Sequence, residues 1–345
     1  MAPDELIPVV DRVMLECSVL TMDAMSRYFP DKEPRRYLYD LVRQYPARGG
    51  KALRPTVCLA ACTAFGGDVD AALPTAVSLE ILHNAFLIHD DIQDESEQRR
   101  GAPTLHAQHG VALALNAGDA SAMLALQPLA DNIDLLGGRV AREVLHEFQV
   151  MMRHTIEGQA MEIGWRRDNE LDLVPDDYLE LVLRKTCWYT FIYPLRVGSL
   201  IASGEICRPG DLVQLGFCLG TVFQIADDLE NLDVPDGYGK EGLGDLFEGK
   251  RTLMLIHLLG NADGRDRERV ARCLGLPRGE RTDGDVGMLR ELMDKYGSVE
   301  YARRYAAAIA ATAEDHLARV FDGVPSSDGQ DFIHCLLPYF CARTW

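Results

Sequence analysis

The stretch that decides the fold is residues 76–94, which read Ala-Val-Ser-Leu-Glu-Ile-Leu-His-Asn-Ala-Phe-Leu-Ile-His-Asp-Asp-Ile-Gln-Asp. Its apolar part is too long, and too rich in alanine and leucine, to be a β-strand. It therefore predicts a helix that begins near Pro74. Because the residues before the carboxylates are apolar, the helix is expected to be buried along its length and acidic at its end.

The rest of the chain shows the same helical pattern. Further apolar helices are predicted over 141–163, 178–202, 211–232, 252–259, 288–296 and 299–320. Glycine-rich or proline-rich breaks separate them, at 48–50, 65–68, 137–138, 235–239 and 276–285. The last break is polar enough to predict an exposed loop. No sustained strand alternation and no interdomain linker is evident, so the sequence predicts an all-α fold with residues 1–345 in one domain.

Composition limits the classes of function. The chain has 345 residues and a formal net charge of −18. Such a surface repels nucleic acid and anionic membranes, although it leaves room for a local cationic pocket. No apolar run approaches the roughly 18 residues of a membrane span, and the acidic N-terminus lacks signal-peptide features. The nine cysteines form no CxxC pair, which favours a reducing, cytoplasmic compartment.

The first acidic motif is Asp90-Asp91-Ile-Gln-Asp94. Asp90 and Asp94 are four residues apart, so both carboxylates project from one helix face and repel each other. A divalent cation would relieve that repulsion, and hard oxygen ligands suit Mg²⁺. Taken alone, the motif fits a solvated acidic helix end equally well.

A second acidic motif lies far downstream, in Phe223-Gln-Ile-Ala-Asp227-Asp228-Leu-Glu-Asn231. It too follows an apolar helix. Two acidic motifs that each follow an apolar helix predict a facing pair around shared metal ions. Since Mg²⁺ is usually held by a few carboxylates together with substrate phosphates, the expected ligand carries phosphate.

Basic residues accompany both acidic motifs. They are Lys51 and Arg54, Arg99 and Arg100, Lys185, Lys240 and Lys250. Arginine offers forked contacts to phosphate and lysine offers a compact charge. Each group alone fits a solvated surface, but their joint occurrence in so acidic a chain predicts a clamp for diphosphate.

Taken together, these motifs resemble the trans-isoprenyl diphosphate synthases, also called the polyprenyl synthetase family. The matching pieces are 49–55 (GGKALRP), His83, 90–94 (DDIQD), 99–106 (RRGAPTLH), 118–119 (GD), 185–186 (KT), 223–228 (FQIADD) and 239–252 (GKEGLGDLFEGKRT). The resemblance spans roughly residues 35–320. It implies a helical bundle around a central cavity, a homodimer, and condensation of isopentenyl diphosphate with an allylic diphosphate.

The resemblance also implies roles for individual residues. Isopentenyl diphosphate would be held by Lys51, Arg54, His83 and Arg100. The allylic diphosphate would be held by Arg99, Lys185 and Lys250, with Lys240 alongside. About three Mg²⁺ ions would be bound by Asp90, Asp94 and Asp227, with Asp91 and Asp228 supporting these ligands or orienting water on the metal. Thr186 and Gln224 would lie near the developing carbocation. No histidine is needed as a general base, and His89 is expected to be a packed residue at the helix end.

Two positions depart from the family pattern. Asn231 stands where the second motif usually ends in aspartate, so an oxygen is kept but its charge is lost. Glu230 does not replace it, because one step along a helix rotates a side chain by about 100°. The substitution is expected to weaken the third metal site more than it affects the reaction. Met254 stands where the family often has proline.

Product length and reaction class leave alternatives. In the family, bulky residues at the fourth and fifth positions before the first aspartate stop elongation; here these are Phe86 and Ala85. One large ring beside one small residue favours the C20 product, geranylgeranyl diphosphate, over the C15 farnesyl product or products of C25 and longer. A class I terpene cyclase and a non-catalytic synthase subunit remain open, although neither requires the whole set of motifs.

Overall fold

Helix α5 contains the deciding stretch and lies at the centre of the bundle. The structure is a computed structural model that describes residues 3–233 and 243–342. Within these ranges, helix α5 runs from Val69 to Gln93, and its N-terminus is capped by the Asp68 side chain, which accepts a hydrogen bond of 3.2 Å from the Asp70 amide. The predicted helix is confirmed, but it begins at Val69, five residues before Pro74.

The described elements are almost all helical, which confirms the all-α prediction. Before α5 they are α1 (Pro3–Met25), a 3₁₀ turn (Ser26–Tyr28), a π-type turn (Arg35–Tyr39), α2 (Asp40–Val42), α3 (Gln44–Ala47) and α4 (Leu53–Ala64). After α5 come β1 (Gln98–Arg99), β2 (Ala102–Pro103), α6 (Leu105–His109), α7 (Val111–Leu124), α8 (Leu126–Arg167) and α9 (Pro175–Val182). The two strands form one small antiparallel ribbon.

The second half continues with a π-type stretch (Leu183–Ile192) and α10 (Tyr193–Ser203). It is completed by α11 (Pro209–Asp233), α12 (Gly244–Glu248), α13 (Leu253–Asn261), α14 (Gly264–Leu274), a 3₁₀ turn (Arg278–Glu280), α15 (Asp283–Lys295), α16 (Ser298–Val320) and α17 (Asp328–Ala342). Helix α8 bends at Gly137, where φ is 78° and ψ is 155°, as the glycine pair at 137–138 predicts.

Helices α5 and α11 pack within the bundle, and their acidic ends therefore meet inside the protein. Helix α5 packs against α4, α7 and α8, whereas α11 packs against α16 and the π-type stretch. Both are long and apolar enough to cross a membrane by length and composition alone, with mean hydropathies of 1.4 and 1.2. This corrects the prediction that no apolar run approaches the length of a membrane span. In each, 67% of the apolar window is buried within the bundle, and this burial accounts for the composition.

The predicted exposed loop over 276–285 is only partly correct. Arg281 in this segment is 9% exposed, and its guanidinium donates to the carbonyl oxygens of Cys273 and Leu274 at 3.1 and 2.8 Å. It also donates to the carbonyl oxygen of Phe247. A buried guanidinium needs such partners, and these tie the segment to α14 and to the end of α12.

Candidate active site

The two acidic helix ends face one polar cavity. A cavity of about 130 Å³ is lined by Asp90 and Asp94 of α5, by Asp227 of α11, and by Arg99, Lys185 and Lys250. Asp245 and Glu248 of α12 also line it. The sequence motifs that are far apart along the chain are therefore brought together, with both signs of charge around one space.

Asp91 faces away from this cavity and is anchored inside the protein. Its carboxylate is fully buried and accepts hydrogen bonds from the Tyr45 hydroxyl and from the Nε and Nη2 atoms of Arg99, the latter two at 2.8 and 2.5 Å. Burial raises the pKa of Asp91, and the Arg99 charge opposes that rise. Asp91 thus fixes Arg99 beside the cavity.

Asp90 and Asp94 experience opposite electrostatic effects. Burial alone would raise the pKa of Asp90, but Lys185, 3.6 Å away, and other cations hold it below its ordinary value. Burial and the neighbouring Asp90 charge raise the pKa of Asp94 to about 7, although Arg166 lies 2.6 Å from it. A divalent cation bound by these hard oxygen donors would relieve the repulsion between the two carboxylates.

The carboxylates do not form a closed metal cage. Within residues 3–233 and 243–342, no three His, Cys, Asp or Glu side chains converge closely enough to hold an ion by themselves. Asp90, Asp94 and Asp227 line the same cavity from different sides. This open arrangement suits Mg²⁺, which takes part of its coordination from water and substrate phosphates.

The second motif is anchored through Asp228. This carboxylate is 1% exposed and accepts hydrogen bonds from the Tyr178 hydroxyl, from Gln224 Nε2 and from Lys250 Nζ, each at 2.9 Å. The Thr186 hydroxyl donates to Gln224 Oε1 at 2.7 Å. Thr186, Gln224, Asp228 and Lys250, four predicted site residues, therefore belong to one hydrogen-bonded chain.

Lys185 is held by a buried glutamate that sequence reasoning missed. Glu162 of α8 is 3% exposed and accepts a hydrogen bond from Lys185 Nζ at 2.5 Å. Burial alone would lower the pKa of Lys185, but Glu162 and Asp90 raise it above its ordinary value. Helix α8 approaches closely because residue 158 is glycine, where a Cβ atom would lie 2.4 Å from the Lys185 amide nitrogen. Lys185 lies in the π-type stretch, a geometry common at functional sites.

Asn231 forms a hydrogen bond with the backbone of α12. Its Oδ1 atom accepts a hydrogen bond of 3.0 Å from the Asp245 amide. Asp245 in turn lies 3.4 Å from Lys250 Nζ. The amide oxygen that replaces the usual carboxylate thus positions the segment that leads to Lys250. Lys240 lies outside the described residues.

A second cationic group is formed by Arg54 and Arg100 around His83. Arg54 Nη1 is 3.4 Å from His83 Nε2, and the Arg100 guanidinium donates to the Tyr45 carbonyl oxygen at 3.2 Å. Gly50 allows this approach, since a Cβ atom there would lie 2.8 Å from Arg100. Burial raises the pKa of Glu80, which faces these cations. Lys51 is exposed and lies three residues before Arg54 in the chain.

An apolar cavity of about 390 Å³ adjoins the polar one. Phe86, Leu87, Ile156, Ile163 and Tyr189 line it, and Asp90 and Lys185 border both cavities. Ala85 is fully buried and is not among the described residues that line this space. His89 lies 3.3 Å from Asp119, over Gly118, where a Cβ atom would be 2.4 Å from the ring. It is a packed residue at the helix end.

Sequence reasoning missed several residues of the site, namely Tyr45, Gln159, Glu162, Arg166, Tyr178, Tyr189 and Glu248. Of these, Glu162 and Arg166 carried a local signal, since their spacing of four residues puts opposite charges on one face of α8. The tyrosines carried none, because their partners lie far away in sequence.

The chain belongs to the polyprenyl synthetase family, since residues 35–293 match the sequence profile of that family, described as Polyprenyl synthetase. It is accordingly a trans-isoprenyl diphosphate synthase, which is a prenyltransferase. Enzymes of this family use Mg²⁺.

Individual relatives agree with the family. The chain is 31% identical over 310 residues to a short chain isoprenyl diphosphate synthase of Methanothermobacter thermautotrophicus, covering 86% of this chain and 91% of the relative. It is 30% identical over 302 residues to a geranylgeranyl diphosphate synthase of Sulfolobus acidocaldarius, covering 86% and 88%. The crystal structure of geranylgeranyl pyrophosphate synthetase from Pyrococcus horikoshii is 30% identical, with a TM-score of 0.84 and 98% of each chain covered.

Other relatives differ in product. A geranylfarnesyl diphosphate synthase of Natronomonas pharaonis is 27% identical over 97% of this chain and 98% of its own. A (2E,6E)-farnesyl diphosphate synthase of Mycobacterium tuberculosis is 32% identical over 84% of this chain and 79% of its own. Relatedness therefore establishes the reaction class but not the product length.

The buried His83 predicts a pH-dependent stability. Burial, together with Arg54 and Arg100, lowers the pKa of His83 well below 6.5. Below pH 6.5 His83 binds a proton in the unfolded chain but stays neutral in the folded protein, so stability falls as the pH falls. Between pH 7.5 and 5.5 we expect this group to lower the unfolding free energy by on the order of 1 kcal/mol.

Urea unfolding of the wild type and of His83→Gln at both pH values measures this cost. The wild type should lose more unfolding free energy than the variant, by on the order of 1 kcal/mol. Equal losses in the two proteins would show that His83 titrates normally in the folded state.

Proposed function

We propose that the protein is a Mg²⁺-dependent geranylgeranyl diphosphate synthase, which joins isopentenyl diphosphate head to tail to an allylic diphosphate. The observation that carries the proposal is that Asp90 and Lys185 border both the polar and the apolar cavity. An allylic diphosphate has a charged head and an apolar tail. The boundary between the two cavities is where the bond between head and tail would lie.

Asp90, Asp94 and Asp227 would hold about three Mg²⁺ ions, and the buried Asp91 and Asp228 would keep the surrounding cations in place. When bound, Mg²⁺ neutralises charge that develops on the leaving diphosphate. Lys185, Lys250 and Arg99, with Lys240 alongside, would hold the same diphosphate. Their carboxylate partners fix these side chains before the substrate arrives, so little reorganisation accompanies the reaction.

Lys51, Arg54, His83 and Arg100 would hold the diphosphate of isopentenyl diphosphate. This group carries more positive than negative charge, since Glu80 is the acidic residue that faces it. A second anion site beside the acidic cavity favours a two-substrate synthase over a terpene cyclase, which binds one diphosphate.

The allylic C–O bond then breaks, and its electron pair leaves with the diphosphate. The double bond of isopentenyl diphosphate attacks the allylic cation, a C–C bond forms, and one proton is lost to the released diphosphate. Thr186 and Gln224 line a separate small cavity together with Lys185 and Lys250, and their oxygen atoms would face the developing cation from there. Oxygen dipoles fixed by hydrogen bonds stabilise a cation without reacting with it.

The apolar cavity supports the proposed C20 product. Phe86 lies one helical turn before Asp90 and lines the cavity, so a growing chain would reach its ring. The small Ala85 is directed elsewhere in the core. A single large ring from α5 therefore limits the chain, consistent with a product longer than C15.

A homodimer is proposed from an apolar face on α7 and α8. Large apolar side chains are exposed there, among them Val111, Leu115, Met123, Ile133, Leu135 and Ile156. Two copies of this face would cover each other. We also propose a single domain over residues 1–345 and a cytoplasmic location, which suits a chain with nine cysteines and no CxxC pair.

Asp90→Ala should abolish the Mg²⁺-dependent condensation, because it removes a carboxylate that faces both cavities. The helical fold should remain, as measured by circular dichroism. Product formation from isopentenyl diphosphate and each allylic primer is measured by mass spectrometry. The control is Asp70→Ala, an exposed carboxylate at the other end of α5, which should keep normal turnover. Near-normal turnover of Asp90→Ala would overturn the proposed site.

Phe86→Ala should lengthen the products, because it removes the ring that obstructs the apolar cavity. The product distribution is measured by mass spectrometry with a C15 primer and excess isopentenyl diphosphate. Phe65→Ala is the control, since Phe65 stacks on Phe321 away from the cavity. An unchanged distribution in Phe86→Ala would show that another residue sets the product length.

The double variant Met123→Asp with Ile133→Asp should halve the mass measured by sedimentation equilibrium, since it places charges on the α7 and α8 face. These side chains are 67% and 59% exposed in the single chain. Val174→Asp, which changes an exposed apolar residue outside that face, should keep the wild-type mass. A dimeric double variant would exclude this face as the interface.

A further inference from the structure

Tyr189 joins the cationic group to the apolar cavity. It lies on the π-type stretch one turn after Lys185 and is half-buried. Its ring lines the apolar cavity and meets the Phe86 ring edge-on, with centroids 5.6 Å apart and planes at 86°. Its hydroxyl accepts a hydrogen bond from Arg54 Nη2. One side chain therefore touches both proposed substrate regions.

The contact with Arg54 fixes that guanidinium in two ways. The Arg54 Cζ atom lies 4.1 Å from the Tyr189 ring centroid, a cation–π contact, while Nη2 donates to the hydroxyl. Arginine loses considerable side-chain freedom when it is held in one geometry. Because Tyr189 already holds Arg54 in the free protein, Arg54 is oriented before an anion binds and loses little further side-chain entropy on binding.

Part of the Arg54 fork has no partner among the described residues. Its Nε atom is buried and makes no hydrogen bond to any residue the structure describes. The nearby Nδ1 atom of His83 is also buried without a partner in the described chain. Buried donors without partners are costly, and an anion with several acceptor oxygens would satisfy them.

The contact with Phe86 affects the other substrate. Two rings that meet edge-on form a wall that is stiffer than either ring alone, because each restricts the rotation of the other. A longer product would have to displace both. The Tyr189 hydroxyl, bonded to Arg54, further restrains its ring.

We propose that Tyr189 has two separable roles: its hydroxyl positions Arg54 for isopentenyl diphosphate, and its ring, with Phe86, sets the limit on product length. This inference rests on the proposed function of the same site. Tyr189 is a positioning residue for the first substrate and a specificity residue for the product.

Two substitutions separate the roles. Tyr189→Phe removes the hydroxyl and keeps the ring, so the KM for isopentenyl diphosphate should rise about tenfold, with kcat nearly unchanged and the product length the same. Tyr189→Leu removes hydroxyl and ring together, so the KM should rise similarly and the products should lengthen by one or more five-carbon units.

Tyr193→Phe provides a matched control in the following turn. Tyr193 is fully buried, and its hydroxyl has no hydrogen-bond partner among the described residues. This variant should keep the wild-type KM and product. An unchanged KM in Tyr189→Phe would overturn the positioning role, and an unchanged product length in Tyr189→Leu would overturn the specificity role. Thermal midpoints measured for all variants show whether each one is folded.

Calorimetric binding of isopentenyl diphosphate, without Mg²⁺ or an allylic primer, separates the inference from the proposed function. Tyr189→Phe should weaken this binding about tenfold even if no product is ever formed. Wild-type protein that binds isopentenyl diphosphate but makes no product would refute the synthase and leave the positioning role standing. Equal affinities of wild type and Tyr189→Phe would refute the positioning role even with full synthase activity.

Discussion

The pairing of buried cations with buried carboxylates holds the site together. Lys185 is fixed by Glu162, Lys250 by Asp228, and Arg99 by Asp91. Each carboxylate is at most 3% exposed, so none can be left without its cation. The three pairs tie the π-type stretch to α8, the segment after α12 to the end of α11, and β1 to the end of α5. Removing a single partner would leave an uncompensated charge in the interior.

These pairs also explain how so acidic a chain can hold anionic substrates. Asp91 and Asp228 do not line the polar cavity, whereas the cations they hold, Arg99 and Lys250, do. Glu162 lines the cavity beside Lys185. Burial alone would lower the pKa of Lys185 and Lys250, but the neighbouring carboxylates raise it above the ordinary value, so both stay protonated. The net charge of −18 describes the whole chain, whereas the potential that a substrate meets is local.

The sequence predicted those features that depend on spacing within one element. Asp90 and Asp94 share a face because they are four residues apart, and the break in α8 at Gly137 follows from its glycine pair. The partners of these residues depend on packing between distant segments. Tyr45 meets Asp91, and Tyr178 meets Asp228, through contacts that no local period encodes. The π-type turn around Lys185 likewise departs from the regular period on which sequence patterns depend.

The spacing within α5 gives the site its order. His83, Phe86 and Asp90 are separated by three and then four residues, so all three lie on one face of the helix. At about 1.5 Å per residue, His83 and Asp90 are roughly 10 Å apart along the axis. One straight helix therefore carries a residue of the cationic group, a wall of the apolar cavity and a carboxylate of the polar cavity. Tyr189 contacts Phe86 directly and the cationic group through Arg54. A change at any of these positions therefore alters how the two proposed substrates are placed relative to each other.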